Sequence, residues 1–359
     1  MRNKKLLPLI LAAAVICSFA GCKANKGEVT GTTQDTTTLV VSESSTETQV
    51  ESKTETASET NKQSDKIVIC GREYDAESKE AFLDASVEIT DIENLFLLND
   101  LEKLDIYFAT NDSADKVSLK KLSQLKSVKE LYIGGYCNDL SFIGGMDSLN
   151  HLDLCQSYAI TDLNDLPYNE NVTELVIYSS AVKNIDYIYN LPNIEWFEFR
   201  NVDSDYIDFT PLSQLKKLKK LELTWVDVSS LSFIGQNTDL ESLFLWTNNN
   251  KISDCNSLVA CTKLKELNLL YSNIDNVDFL KSLPELSILE LRGTNVKDMS
   301  ALPKLTSLTS LSLDENKTNY YDLLIKMDFL QELIIDKEVY SEKELAELKE
   351  KLTECNINL

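Results

Sequence analysis

The stretch Leu264-Lys265-Glu266-Leu267-Asn268-Leu269 decides the fold, because its Leu-x-x-Leu-x-Leu spacing recurs along most of this 359-residue chain. Eleven copies align, one about every 22 residues. Side chains of an extended strand alternate between two faces, so the fourth and sixth positions share one face and the fifth takes the other. A unit this short cannot bury an apolar face alone, so the sequence predicts a solenoid of stacked units. The fourth positions are Leu104, Leu131, Leu152, Leu175, Phe197, Leu221, Leu243, Leu267, Leu289, Leu311 and Leu333.

The segments between the copies predict the other side of each unit. Ile252-Ser253-Asp254-Cys255 begins one such segment, and apolar residues then recur at every third place through Leu258 and Cys261. A three-residue step favours 3₁₀-like or irregular turns over a long α-helix. Periods of roughly 20–29 residues are those of leucine-rich repeats. We therefore predict an α/β repeat solenoid, a leucine-rich-repeat horseshoe with a parallel concave β-sheet of about eleven strands and an irregular or 3₁₀ convex side.

The N-terminal sequence has the features of an export signal. Three basic residues precede an apolar run at residues 6–20, which is shorter than the ~20 residues of a membrane span. Phe19-Ala20-Gly21-Cys22 resembles a bacterial lipobox, with Phe19 in place of the usual leucine. The resemblance implies that residues 1–21 are a lipoprotein signal peptide and that Cys22 is lipidated. The alternative is an ordinary secretory signal with an incidental cysteine.

The remaining chain divides into four predicted regions. Residues 22–65 are rich in Ser, Thr and Glu and predict a disordered tether, or a low-complexity stretch without a role. Residues 66–94 predict an N-terminal cap with a degenerate repeat and a helix near 77–83. Residues 95–336 hold the repeats. Residues 337–359 predict a C-terminal cap, with a helix that begins at the Ser341-x-x-Glu344 capping box.

The repeat hexapeptide followed by Ile/Val-x-Asp and an apolar residue resembles the internalin-type leucine-rich repeats of bacterial surface proteins. The similar part covers about residues 89–336. This resemblance implies an adhesin or ligand-binding module whose concave sheet is the contact face. The lipobox implies a lipid anchor, at the extracellular face of the bacterial cell membrane, in place of the wall-attachment modules that many such proteins carry.

Composition limits the function classes. The formal net charge of −23 disfavours nucleic acid partners but admits basic or neutral ones. The single histidine, His151, is expected at the surface, and the sequence contains no phosphate-binding loop or paired metal ligands. An acidic stretch at 203–208 is either a calcium site or a solvated loop. A bridge between Cys137 and Cys155 is left open by the sequence, whereas Cys255 and Cys261 fall on core positions.

Large aromatic residues and arginines fall on outward-facing positions of the strands. Such residues are frequent in binding hot spots, because they bury much area at low entropic cost. By position in the repeat, Trp196 is third, Tyr132 and Phe244 are fifth, and Tyr107, Tyr178, Arg200, Trp246 and Arg292 are seventh. Phe108, Trp225 and Tyr271 are eighth, on the rim.

These patterns predict a lipid-anchored, monomeric cell-surface protein that binds a protein or glycan ligand through its aromatic concave face. We expect no enzyme activity and no cofactor or metal. The expected anchors are Trp196, Phe244 and Trp246, and the flanking residues are Tyr132, Tyr178, Arg200, Trp225 and Tyr271. The alternative is a structural or spacer lipoprotein of the envelope without a specific ligand, in which the aromatic rings pack on each other to cover the sheet.

Overall fold

The computed structural model describes most of the chain after residue 65. The signal peptide, the lipidated cysteine and the tether that the sequence predicts lie outside the described residues, as does most of the acidic stretch 203–208. Among the described residues, no helix is both long and apolar enough to span a bilayer. The described residues are 66–84, 88–110, 119–178, 180–200, 207–247, 252, 254–294 and 296–359.

One sheet of thirteen strands dominates the structure, and every strand pairs in parallel with its neighbour in the sequence. Leu267 lies beside Leu243 on one side and Leu289 on the other, so the fourth positions form one continuous buried row. The eleven predicted repeat strands are confirmed as the strands from Lys103–Phe108 to Glu332–Ile334. The strands are β3 Glu80–Leu83, β4 Lys103–Phe108, β5 Glu130–Gly135, β6 His151–Asp153, β7 Glu174–Tyr178, β8 Trp196–Arg200, β9 Lys220–Val226, β10 Ser242–Thr247, β11 Glu266–Leu270, β12 Ile288–Glu290, β13 Ser310–Ser312, β14 Glu332–Ile334 and β15 Asn356–Asn358.

Short 3₁₀ helices form most of the convex side, as the three-residue step predicts. Buried side chains there donate hydrogen bonds to backbone carbonyls of the preceding repeat. Asn237 Nδ2 donates to the carbonyls of Leu212 and Leu215, at 3.0 and 2.9 Å. Cys261 takes the corresponding place one repeat later, fully buried, which confirms it as a core residue. The 3₁₀ helices are Leu119–Gln124, Ser141–Gly145, Asp186–Asn190, Thr210–Gln214, Ser232–Gln236, Asn256–Ala260, Asp278–Ser282, Leu302–Lys304 and Lys337–Val339, and α2 is Tyr321–Leu324.

The N-terminal cap is a hairpin, a strand and a helix. Strands β1 (Ile67–Ile69) and β2 (Arg72–Tyr74) pair antiparallel, and α1 (Ile89–Leu95) follows β3. The helix predicted near 77–83 is wrong, because Glu80–Leu83 is a strand that pairs with β4. Ala81 and Leu83 are buried while Glu80 and Phe82 are not, which is the period of two that a strand requires.

The C-terminal cap contains the predicted helix, α3 (Glu342–Lys351). Its capping box is confirmed: the Ser341 N–H donates to Glu344 Oε2 at 2.8 Å, and the Glu344 N–H donates to Ser341 Oγ at 3.3 Å. Leu348 and Leu352 are buried beneath the helix. Strand β15 then extends the sheet, which the sequence did not predict.

The structure has no disulfide between Cys137 and Cys155, which the sequence left open. Cys137 is a buried free thiol whose Sγ lies 3.9 Å from the carbonyl oxygen of Asp139, so no bridge joins it to Cys155. Burial raises the pKa of the Cys137 thiol to about 12 and that of Cys255 also to about 12, so both stay protonated and behave as small apolar core residues.

Candidate functional site

Several repeats turn out of the sheet through a left-handed residue at the eighth position. Glycine adopts this conformation without a steric cost, whereas any other residue there costs about 1–2 kcal/mol. Two of these positions carry a large aromatic side chain, and the sequence alone did not reveal that conformation. The residues with positive φ at the eighth position are Gly135 (65°), Gln156 (55°), Trp225 (58°), Tyr271 (56°), Gly293 (66°) and Glu315 (58°).

The turn at Trp225 is also a β-bulge. Thr224 pairs with Trp246 and Val226 pairs with Thr247, so Trp225 is an extra residue in β9 with no partner in β10. A bulge redirects the side chain of its extra residue, and bulges are frequent beside functional sites. Here the indole points out of the sheet and is 40% exposed.

The structure brings three of the predicted residues together on adjacent strands. The ring centroids of Trp225 and Trp246 are 4.6 Å apart, and those of Trp246 and Tyr271 are 6.4 Å apart. We call Trp225, Trp246 and Tyr271 the aromatic strip. At its far end the Tyr271 hydroxyl donates to Glu315 Oε2 at 2.9 Å, and the ring lies against Gly293, where a Cβ would be 2.6 Å from Tyr271 Cε1.

The predicted anchor Trp196 lies apart from the aromatic strip. In register it is two strands away from Trp246 and four residues earlier, which is roughly 16 Å. Lys220 Nζ covers the Trp196 ring at 4.4 Å from the centroid, and the indole Nε1 is buried without an acceptor among the described residues. Trp196 is therefore half-buried beneath one of the protein's own cations. Phe244 is closer to the strip, because it is two residues before Trp246 on the same face of β10.

Arg200, the arginine predicted to flank the site, belongs to an ion-pair network. Arg200 Nε lies 2.6 Å from Glu198 Oε1, and its guanidinium also reaches Glu222 at 3.2 Å. Lys220 Nζ pairs with Glu222 at 2.7 Å. Tyr178 pairs in register with Arg200 and is half-buried beside it. These charges hold each other in place, so Arg200 has little freedom to reach a ligand without losing a partner.

A second group of outward residues surrounds Tyr132 on β4 to β7. The Tyr132 ring lies 4.6 Å from Lys103 Nζ and 5.3 Å from the ring of His151. His151 lies on the outward face of its strand, as the sequence predicts, with Nδ1 2.9 Å from Glu174 Oε2 and its side chain 15% exposed. Lys103 and His151 therefore pack around the Tyr132 ring instead of leaving it in solvent. Burial raises the pKa of Asp153, next on this face, to about 6.

Phe108 does not belong to the rim. Its backbone stays in the strand through the eighth position, with Phe108 beside Gly135 in register. Alternation from Leu104 and Ile106 then turns the ring into the core, where it is fully buried. The rim aromatics are thus those whose backbone turns left-handed at the eighth position.

Carboxylates line the centre of the concave face at the fifth position. Burial raises the pKa of Asp105, Asp153, Glu198 and Glu290, and the Glu222 carboxylate is the next largest cause for Glu198. No three metal-ligating side chains of the described residues come together. This arrangement of rings and carboxylates can bind a ligand by stacking, hydrogen bonds and charge.

The fold has known counterparts among solved structures. No protein-family model matches the chain, and a comparison with curated proteins finds no match. An internalin, InlF of Listeria monocytogenes, is similar in structure with a TM-score of 0.57 at 19% identity, over 80% of this chain and 89% of that one. TLR13, solved in complex with a single-stranded RNA, gives a TM-score of 0.51 at 18% identity over 77% of this chain and 50% of that one. These likenesses confirm the leucine-rich-repeat fold.

Proposed function

We propose that this chain is a lipid-anchored protein of the bacterial cell surface that binds a protein or glycan ligand through the aromatic part of its concave face. The single observation that carries the proposal is the aromatic strip. Trp225 and Tyr271 adopt a conformation that glycine occupies at the same place in two other repeats. Non-glycine residues that the surrounding structure holds in this strained backbone conformation cluster at binding and active sites.

The strip has the properties of a binding hot spot. Tryptophan and tyrosine bury a large area on binding and lose few rotamers, so they contribute strongly to affinity. Trp225, Trp246 and Tyr271 would form the centre, with Phe244 beside it. Residues that are half-buried among the protein's own side chains expose less surface to a ligand, so they would flank this centre. They are Trp196, Arg200, Tyr178 and Tyr132.

The anchor is part of the same proposal. Residues 1–21 would be removed, Cys22 would carry the lipid, and residues 22–65 would be a tether with an r.m.s. span on the order of 35–40 Å. The membrane contact would be made through the lipid alone, and the protein would act as a monomer without a cofactor. The Cys22→Ala change tests the anchor: the protein should leave the membrane fraction for the medium, and unchanged membrane retention would contradict it.

The binding experiment compares two aromatic truncations. Residues 66–359 contain every element of the described fold, so this fragment can be presented to a glycan array and to candidate surface proteins in pull-down assays. Trp246→Ala should weaken capture of any selective ligand at least tenfold, as for a hot-spot residue. The matched control is Tyr168→Ala, which removes a ring that is 60% exposed in the loop between β6 and β7, away from the concave face. Equal loss in both variants, or no loss in either, would contradict the proposal.

The contact between the rings favours a second candidate, a spacer protein without a ligand. Trp225 and Trp246 pack on each other at 4.6 Å, which would cover sheet surface even if nothing bound there. This candidate predicts that no array glycan or surface protein is captured selectively. It also predicts that Trp246→Ala changes stability and no binding readout.

A further inference from the structure

Cations of the protein cover some of the concave aromatic rings. Among the described residues, Arg72 lies over the Phe82 ring at 4.2 Å from the centroid, Lys103 over Tyr132 at 4.6 Å and Lys220 over Trp196 at 4.4 Å. None of these three contacts involves Trp246 or Tyr271. Each covered ring lies on the concave face between β3 and β9, and each gains the attraction between a cation and an aromatic quadrupole.

The face around the aromatic strip carries an excess of negative charge. On the outward positions of β8 to β13, the described residues include six carboxylates and three cations. All three cations are engaged in ion pairs with some of these carboxylates. The carboxylates are Glu198, Glu222, Glu266, Glu290, Asp314 and Glu315, and the cations are Arg200, Lys220 and Arg292.

The other three carboxylates are hydrogen-bonded by neutral donors. Glu266 accepts from the Ser242 hydroxyl at 3.2 Å, and Glu290 accepts from the backbone N–H of Arg292 at 3.0 Å. Glu315 accepts from the Tyr271 hydroxyl at 2.9 Å. Glu315 contacts the strip at the Tyr271 hydroxyl. In register, Glu290 and Glu266 lie two and four residues earlier along the sheet than Trp246. The charge of Glu315 is therefore the one within reach of a cation that stacks on the strip, and the other two carboxylates act at longer range.

We infer that the strip receives a lysine or arginine side chain of a basic protein partner, stacked on Trp246 and Tyr271 and attracted by the adjacent Glu315. This inference rests on the proposed function and adds the chemical class of the ligand to it. The partner would supply at the strip the kind of cation that Lys220 supplies at Trp196. The formal charge of −23 for the whole chain would speed the encounter with such a partner.

Dodecalysine is a suitable probe, with fully N-acetylated dodecalysine as the neutral control. Binding of the labelled peptide to the full-length chain in detergent is measured by fluorescence anisotropy. Salt at 0.15 M keeps the screening length near ~8 Å, so remote charges contribute little. Trp246→Ala should raise the dissociation constant by roughly 3- to 30-fold, the range of one cation–aromatic contact. Tyr168→Ala should bind dodecalysine as tightly as the wild-type protein, and the acetylated peptide should bind neither.

A second variant protects the test against misfolding. Trp225→Gly removes a ring of the strip and places the residue that two other repeats have at this position, so the fold should persist. It should weaken dodecalysine binding while circular dichroism stays unchanged. The control for charge is Glu315→Gln against Glu354→Gln, each of which removes one negative charge. The first should weaken binding more than the second, which changes an exposed residue of the C-terminal cap.

Two results would overturn the inference. If dodecalysine binds all variants equally, the acidic field alone holds it and the strip has no part. If the strip variants leave dodecalysine unaffected but abolish binding of a neutral hexasaccharide of N-acetylglucosamine, the ligand of the strip is a sugar. In that second case, capture that depends on Trp246 still supports the proposed function, so the two proposals fail separately.

Discussion

Replacing Gly293 by alanine tests the geometry of the aromatic strip without touching an aromatic residue. Gly293 has a φ of +66°, which alanine adopts only with strain, and the new Cβ would overlap Tyr271 Cδ1 and lie 2.6 Å from Cε1. The Tyr271 ring must therefore move. Its hydroxyl would then lose the hydrogen bond to Glu315 at 2.9 Å.

The expected cost is the sum of two effects. The left-handed conformation costs an alanine about 1–2 kcal/mol, and an exposed hydrogen bond to a carboxylate contributes about 1 kcal/mol. We expect Gly293→Ala to lower the free energy of unfolding by about 2–3 kcal/mol. Two other glycines calibrate this value. Gly235→Ala should be close to neutral, because its Cβ would meet Ser257 O at an ordinary 3.6 Å. Gly135→Ala should cost the most, because its Cβ would overlap the backbone carbonyl oxygen of Phe108.

The assay is urea unfolding of the three variants and the wild type, followed by circular dichroism and by tyrosine and tryptophan fluorescence. The expected order of stability is Gly235→Ala, Gly293→Ala, Gly135→Ala, from the most to the least stable. A Gly293→Ala protein as stable as the wild type would refute the reasoning, since Tyr271 would then not lie over Gly293. A loss in Gly235→Ala as large as in Gly293→Ala would refute it too.

Two further predictions concern Asp153 and Trp225. Burial raises the pKa of Asp153 from its ordinary 3.8 to about 6, so the folded state binds the proton more tightly. Stability therefore falls as the pH rises from 3.8 to about 6, and the full cost of the charged carboxylate remains above that pH. One pKa unit corresponds to about 1.4 kcal/mol, so Asp153→Asn should raise the free energy of unfolding by about 1 kcal/mol more at pH 8 than at pH 5. Thermal unfolding at both pH values measures this difference. An equal effect of the substitution at pH 5 and pH 8 would contradict the prediction. Trp225→Gly should change the stability by less than about 1 kcal/mol although it removes a tryptophan, because relief of the left-handed strain offsets the lost ring contact and the extra chain entropy. Urea unfolding measures this, and a loss above 3 kcal/mol would show that the ring supports the fold.

The period of the leucines was sufficient to predict the repeat strands, because each leucine row needs the next one to be buried. The pattern failed at Glu80–Leu83, where four residues are too few to distinguish a period of two from a helical one. It also missed β15, whose sequence Asn356-Ile357-Asn358 has no leucine. Edge strands carry a weak signal, since only one neighbour covers them.

The candidate site was harder to predict than the fold. Alternation places Trp196, Phe244 and Trp246 on the outward face, but it gives no rotamers and so did not reveal that Lys220 covers Trp196. The eighth position was the main source of error, since its direction depends on a backbone turn. Gly135 and Gly293 at that position were a signal for a left-handed turn. They could not tell that Trp225 and Tyr271 make this turn whereas Phe108, also placed on the rim from the sequence, does not.

Acrylamide quenching of chains that keep a single tryptophan tests the central claim most directly, because it asks whether the large rings of this solenoid face the solvent. The chain that keeps only Trp225, with Trp196 and Trp246 replaced by phenylalanine, should be quenched strongly, as its ring is 40% exposed. The chain that keeps only Trp196, beneath Lys220, should be quenched less. Weak quenching of Trp225, at the level of a tryptophan in a protein core, would contradict the account.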